Sequence, residues 1–339
     1  MQNSTAHGAF MGTARFGSLD GLRCLAVLQV VWGHGPGIAG YRGYGRVGLH
    51  LLLALSGFLI TIMLLRERQR TGSISIRKFY ARRVLRIFPL YYVVFFGYLA
   101  AVLAFGRHLP RGAEFLANAP YFATYTINWY HTGSYNILFG HAWSLAVQEQ
   151  FYLVWPLLLV VLPSRAAVGA LALGLVSTRW LGGSQAPPGI FWGALVAFAL
   201  HSARGFALCW PVFGHRYSAL VAAALMLATV LIHVPPVVQA LLAAALMTAC
   251  VIREDNVLAT VLQWRPLTEV GVIGYGFYLL HLPISSAVSR VGTALSLPLN
   301  PHEIPSFFVV LAITFPVAFL SYRYFETPFM NLRERFSTR

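Results

Sequence analysis

The sequence predicts an all-α, polytopic integral membrane protein, and three observations carry that expectation. Of 339 residues, 58% are hydrophobic and 10% are charged, whereas a soluble domain carries about 25% charged residues. The mean hydropathy is +0.65. Ten stretches approach the ~20 apolar residues that an α-helix needs to cross a bilayer. So little charge cannot cover the surface of a water-soluble enzyme. A secreted disulfide scaffold and a disordered chain are excluded on the same ground.

The ten candidate spans are 22–38, 47–65, 85–105, 143–162, 166–181, 190–203, 217–234, 237–252, 270–287 and 304–324. The first contains Arg23 at its start and ends in Trp32-Gly33-His34 without a small-x-small cleavage site, so it reads as a span rather than a removable signal. The fifth and sixth are short. The segment 106–140 is expected to be the main non-cytoplasmic loop. It is rich in Tyr121, Tyr125, Asn128, Trp129 and Tyr130, which suit either a sugar-stacking lid or an interfacial aromatic belt. There is no internal repeat and no low-complexity segment. One membrane domain, residues 18–333, is therefore expected between a cytoplasmic N-terminal segment (1–17) and a cytoplasmic tail (334–339).

Charge orients the spans. The 25 basic and 10 acidic residues give a formal charge of +15 and a pI near 10.2. In a soluble domain that imbalance would suggest nucleic acid; in a membrane protein it marks an Arg-rich cytoplasmic face. With the N-terminus inside, the cytoplasm receives Arg15, the block from Arg66 to Arg86, Arg165, Arg204, Arg216, Arg253, Arg265, Arg323, Arg333, Arg335 and Arg339. The outside receives only Arg42, Arg46, Arg107, Arg111, Arg179 and Arg290. An even number of spans follows, in the cell (inner or plasma) membrane, with both termini cytoplasmic. No nucleic-acid partner is expected.

Ionisable groups at membrane depth are expensive and are functional candidates by default. Arg23 and His34 are eleven positions apart, about 16 Å along a helix and about 20° around it, so they share a face. Snorkelling of Arg23 and capping of the helix end by His34 explain them equally well. In the third span Arg82 and Arg86 share a face with Arg83 beside them. Such a cluster suits either a polyanion with several phosphates or anionic lipid. Glu149 lies two turns into the fourth span and requires an Arg, a His or a polar cavity. His281, late in the ninth, reads as a satisfied core histidine or a chemical group. Cys24, Cys209 and Cys250 lie in apolar runs, and neither they nor the histidines have metal-ligand spacing, so no metal is expected.

Taken in order, SLDGLRCLAVLQVVWGH (18–34), GRVGLHLLLALSGFLI (45–60), FYARRVLRIFPLYY (79–92), WSLAVQEQFYLVWP (143–156), YGFYLLHLPI (275–284) and RYFETPF (323–329) resemble the acyltransferase family 3 of membrane O-acyltransferases. The resemblance covers essentially residues 18–333 and implies that family's bundle of about ten helices. It implies transfer of an acyl group, most often acetyl, from cytoplasmic acyl-CoA to a hydroxyl of a carbohydrate, glycolipid or macrolide-type acceptor. The family's Arg/Lys-x10-His signature falls on Arg23 and His34, and its RxxR signature on Arg83 and Arg86. The resemblance thus implies His34, Arg23 and Glu149 as catalytic, and Arg82, Arg83 and Arg86 as donor-binding. Asp20, His50, Trp143, Gln148, Tyr278, His281 and Glu326 follow as supporting or substrate-contacting. Implied partners are membrane lipid and a small-molecule, glycan or glycolipid acceptor, with a homo-oligomer allowed. No fused SGNH-type domain is expected, so a second transfer step would use a separate partner.

Two positions depart from the family's pattern. His50 stands where an acidic residue is usual, and Gln148 replaces the usual Glu of the WSLxVE motif, with Glu149 next to it. These departures keep open a second reading, a family member without transferase activity that binds or scaffolds a glycan or lipid. A third, a small-molecule transporter, fits a ten-span protein but not the motif series.

Overall fold

The computed structural model describes residues 2–36, 44–130, 137–181, 187–232, 234–300 and 302–334. Among them there are helices and no strands. In chain order they are α1 (Gln2–Gly12), α2 (Gly17–His34), α3 (Tyr44–Thr71), α4 (Ile76–Ala101), α5 (Pro110–Ala123), α6 (Ile127–Tyr130), α7 (Ala142–Val161), α8 (Ser164–Leu181) and α9 (Gly189–His201). There follow α10 (Ala203–Phe213), α11 (Ser218–Leu231), α12 (Pro236–Ile252), α13 (Ala259–Leu262), α14 (Arg265–Val272), α15 (Gly274–Ala294), α16 (Ile304–Leu320) and α17 (Thr327–Glu334). Short π-helical turns extend α4 over Val102–Gly106 and join α16 to α17 over Ser321–Glu326. Arg42, Arg335 and Arg339, used above to orient the chain, lie outside the described residues.

Each of the ten apolar stretches is a helix. Four segments are long and apolar enough to cross a membrane: Gly45–Thr71, Ile76–Gly106, Ala142–Val161 and Ile304–Leu332. The number rises to six if the bent pairs α9 with α10 and α14 with α15 each count as one crossing. Large apolar side chains remain exposed, among them Phe105, Leu208, Leu231, Phe308 and Val161. Large exposed apolar side chains of this kind suit a membrane-facing exterior.

The chain divides into two compact units. The first comprises Met1–Ile74 and Leu158–Gly274. Its centre is α3, which packs on α2, α9 and α12, and glycines let the backbones approach. A Cβ on Gly57 would lie 2.0 Å from the Ile190 carbonyl oxygen, and one on Gly193 2.0 Å from that of Ala54. Gly189 and Gly193 form a GxxxG pair on α9, the small-residue spacing that membrane helices use for close contact. Arg66 of α3 holds α1 by donating to the Phe10 and Thr13 carbonyls at 2.6 and 2.7 Å, with its guanidinium over the Phe10 and Phe16 rings. The sixth span ends earlier than its apolar run suggests. Ser202 caps α10 by accepting from the Gly205 N–H at 3.0 Å, and the chain turns by 109° there.

The second unit comprises Ser75–Leu157 and Tyr275–Arg339. Here the segment expected to be a long external loop, 106–140, contains two helices, α5 and α6. After the π turn the chain reverses, and α5 runs back along α4. Phe115 packs between Phe95 and Tyr98, while Tyr91 and Tyr92 donate to the Phe122 and Ala123 carbonyls at 2.8 and 2.9 Å. The fold-back brings the chain about 20 Å down α4 from its turn, at 1.5 Å per residue. Tyr125 then adopts a left-handed conformation (φ 54°) and stacks on Tyr91 with centroids 4.2 Å apart.

Candidate functional site

In the first unit the candidates lie on α2 and α3. Asp20 accepts from Arg15 at 2.6 Å and from Arg23 at 2.6 Å, so one carboxylate holds two guanidinia. Arg23 also reaches the Gly271 carbonyl at 3.5 Å. Close approach makes this possible: a Cβ on Gly271 would lie 1.9 Å from the Asp20 carbonyl oxygen. The ninth span begins later than its apolar run suggests, because the chain breaks between Val272 and Gly274, where it passes Arg23.

α2 is helical from Gly17 to His34, which keeps Arg23 and His34 on one face. His34 is exposed at the end of α2 and bonds the Val30 carbonyl one turn back. A carbonyl only accepts, so the nitrogen facing it carries the proton and the other nitrogen of the neutral ring is a base. His50 is 4% exposed, and its Nδ1 has no hydrogen-bond partner. It sits at the α3–α9 crossing, where a Cβ on Gly189 would meet its carbonyl oxygen at 2.6 Å.

In the second unit the arginines of α4 separate. Arg83 lies over the rings of Phe79 and Tyr152, at 5.6 and 5.3 Å, and within electrostatic reach of Glu149. Glu149 accepts a hydrogen bond from the Gln148 side chain and feels the Arg83 charge. Arg86 turns to Glu326 (3.9 Å), the Tyr322 ring (5.7 Å) and the Met330 sulfur. Glu326, 3% exposed, accepts from Ser321, and Gly276 leaves it room: a Cβ there would lie 3.0 Å from Oε1. Arg82 is half-buried beside them, and Trp143 is half-buried in the first turn of α7.

The fourth and ninth spans also assemble a group that motif reading only half found. Ser144 Oγ and Tyr278 Oη lie 2.6 Å apart, and each is 3.1 Å from the His141 carbonyl. His141 Nε2 bonds the Leu279 carbonyl at 3.2 Å, His281 Nδ1 bonds that of Tyr278, and the two imidazoles meet edge to face at 5.4 Å. By the same tautomer argument His141 keeps its base at Nδ1 and His281 at Nε2. All four residues are buried. His141 and Ser144 were overlooked, although their spacing of three places both on one face of a helix start.

Comparison with known proteins bears on this arrangement. A family model described as an acyltransferase domain matches residues 16–323. YrhL of Bacillus subtilis is 30% identical over 91% of this chain and 54% of its own length. The peptidoglycan O-acetyltransferase OatA of Listeria monocytogenes is 29% identical, over 92% of this chain and 55% of its own. The O-acetyltransferase OatA of Staphylococcus aureus is 25% identical, over 91% and 56%. The chain thus spans about half the length of the curated relatives it matches. No solved structure matches. With the family model covering nearly the whole chain and the ordered motifs in place on its helices, the protein belongs to the acyltransferase family 3.

Proposed function

We propose that the chain is a membrane O-acyltransferase that moves an acyl group, acetyl first, from acyl-CoA to a carbohydrate hydroxyl. Relatives named as peptidoglycan O-acetyltransferases favour a glycan acceptor. The observation that carries the reading is α2: an exposed imidazole with one nitrogen fixed as a base, on the same face as an anchored guanidinium. His34 would take the proton of the acceptor hydroxyl as its oxygen attacks the thioester carbonyl, and CoA would leave as the thiol after protonation. Arg23, about 16 Å away along the helix, is too far to share the developing oxyanion. Its proposed part is to fix the donor; Arg82, Arg83 and Arg86, in the second unit, are proposed as donor-binding on their own motif. We further propose ten crossings of the cell membrane with both termini cytoplasmic, over one membrane domain spanning 18–333.

The test is transfer of labelled acetyl from acetyl-CoA to glycan acceptors by membranes containing the protein. A positioned base contributes about 10²–10⁴-fold in rate, so His34→Ala should fall by that factor at equal protein level. Undiminished turnover overturns the assignment. A second reading, a binding protein without transferase activity, is favoured by the hydrogen bond from Gln148 to Glu149, which ties up the carboxylate that remains. On that reading wild-type membranes transfer nothing, and Gln148→Glu restores measurable turnover.

A further inference from the structure

We propose that the indole of Trp129 is a stacking platform for the acceptor saccharide, set in place by Gln150. The proposal rests on the acyltransferase reading and adds to it the place where the sugar ring is held.

Trp129 ends the fold-back in the second unit and is 45% exposed. Its one polar atom is already engaged: Nε1 donates to Gln150 Oε1 at 2.8 Å. Gln150 is saturated around it. The same Oε1 accepts from Asn128 Nδ2 at 3.4 Å, while Nε2 donates to Asn128 Oδ1 at 2.8 Å and to the Tyr125 carbonyl at 2.6 Å. Tyr125 can present that carbonyl because it holds φ at 54°, a conformation costly for a non-glycine residue and a frequent companion of functional sites. Four bonds on one amide and a strained neighbour fix the indole before any ligand arrives, which lowers the ordering cost of binding.

A tryptophan of the interfacial belt lies at headgroup level, with its amphipathic ring between lipid and water. In Trp129 the N–H is taken up by Gln150, and the segment that carries it packs on α4 through the Tyr125–Tyr91 stack. Trp129 is 45% exposed, and the negative quadrupole of an indole face attracts the polarised C–H face of a pyranose. Gln150 follows Glu149 directly on α7, about 100° around the helix from it.

The test titrates the full chain in nanodiscs with N-acetylglucosaminyl–N-acetylmuramyl disaccharide, reading the fluorescence difference between wild type and Trp129→Phe. We expect a saturable change in wild type. A stacked aromatic contact is worth about 0.5–1.5 kcal/mol, so binding to Trp129→Leu, followed by calorimetry, should weaken roughly three- to ten-fold. Phe105→Leu, at the 88% exposed turn of the same hairpin, should bind as wild type does. Equal affinity in Trp129→Leu, no binding by wild type, or quenching of the Trp129 signal by brominated phospholipid overturns the platform. Transfer measured on the same samples separates the two claims. Binding without transfer removes the enzyme reading and leaves the platform; transfer indifferent to Trp129 removes the platform alone.

Discussion

Arg86 and Glu326 show how a membrane domain keeps a charge at depth. The carboxylate is 3% exposed, and its ion pair is long at 3.9 Å, so part of the load falls on the Tyr322 ring and the Ser321 hydroxyl. Removing one partner of a fully buried pair costs about 3–5 kcal/mol. Arg86 retains some exposure, so Glu326→Ala should cost less, about 1–3 kcal/mol, read as a lower thermal midpoint in detergent, with Glu326→Gln in between. Arg83 is a different case, since two aromatic faces hold its planar group. Arg83→Lys keeps the charge but not the stacking, and should raise the KM for acetyl-CoA several-fold, in line with about 0.5–2 kcal/mol per cation–π contact. An unchanged KM would remove Arg83 from the donor site. The sequence made the Arg23–His34 pair legible because helical spacing alone puts them on one face. It did not reveal that Arg83 and Arg86 turn to different partners, since spacing along α4 carries no information about Tyr152 or Tyr322. Nor did it pick out Ser144 and His141, whose meeting with Tyr278 is a contact between residues more than a hundred positions apart.

At the scale of elements, each of the ten apolar runs falls on a helix, of 13 to 28 residues, because a uniformly apolar segment has no other way to satisfy its backbone in lipid. The fold-back was missed, although it carries a signal. Gly112, Phe115, Asn118 and Phe122 are its buried positions, spaced by three, three and four after a proline at the helix start. That is an amphipathic helix in a segment too short and too polar to read as a span. Helix contacts make a sharper prediction. Gly57 and Gly193 each face a carbonyl at 2.0 Å from an added Cβ, while Gly97 on α4 has nothing within 4 Å. Gly57→Val should prevent the α3–α9 contact and abolish recovery of folded protein, since overpacking costs about 1–3 kcal/mol or more. Gly97→Ala should be tolerated and gain roughly 0.5–1 kcal/mol of helix stability. Comparable yields of the two variants by size-exclusion chromatography would contradict the close crossing.

At the scale of the whole molecule the open quantity is the number of crossings, and length alone does not fix it. α11 has 14 residues and α12 has 17, so they span about 21 and 25 Å against a hydrocarbon core near 30 Å. Mismatch of that size is met by thinning the bilayer at a modest cost per ångström. Given the proposed cytoplasmic N-terminus, charge argues for the larger number: the block from Arg66 to Arg86 then falls on the cytoplasmic side only if α2 crosses. Four exposed positions decide between the possibilities: Ser73, His108, His215 and His302. Ten crossings put Ser73 and His215 on one side, with His108 and His302 on the other. Six crossings pair Ser73 with His302, and four leave His108 alone. Single cysteines at these positions, in a Cys209→Ser background because Cys24 and Cys250 are buried, should react with a membrane-impermeant maleimide in intact cells only at 108 and 302. Labelling of position 73 from outside would reverse the orientation of the arginine block and move the proposed donor site, with Arg83 and Arg86, away from cytoplasmic acyl-CoA.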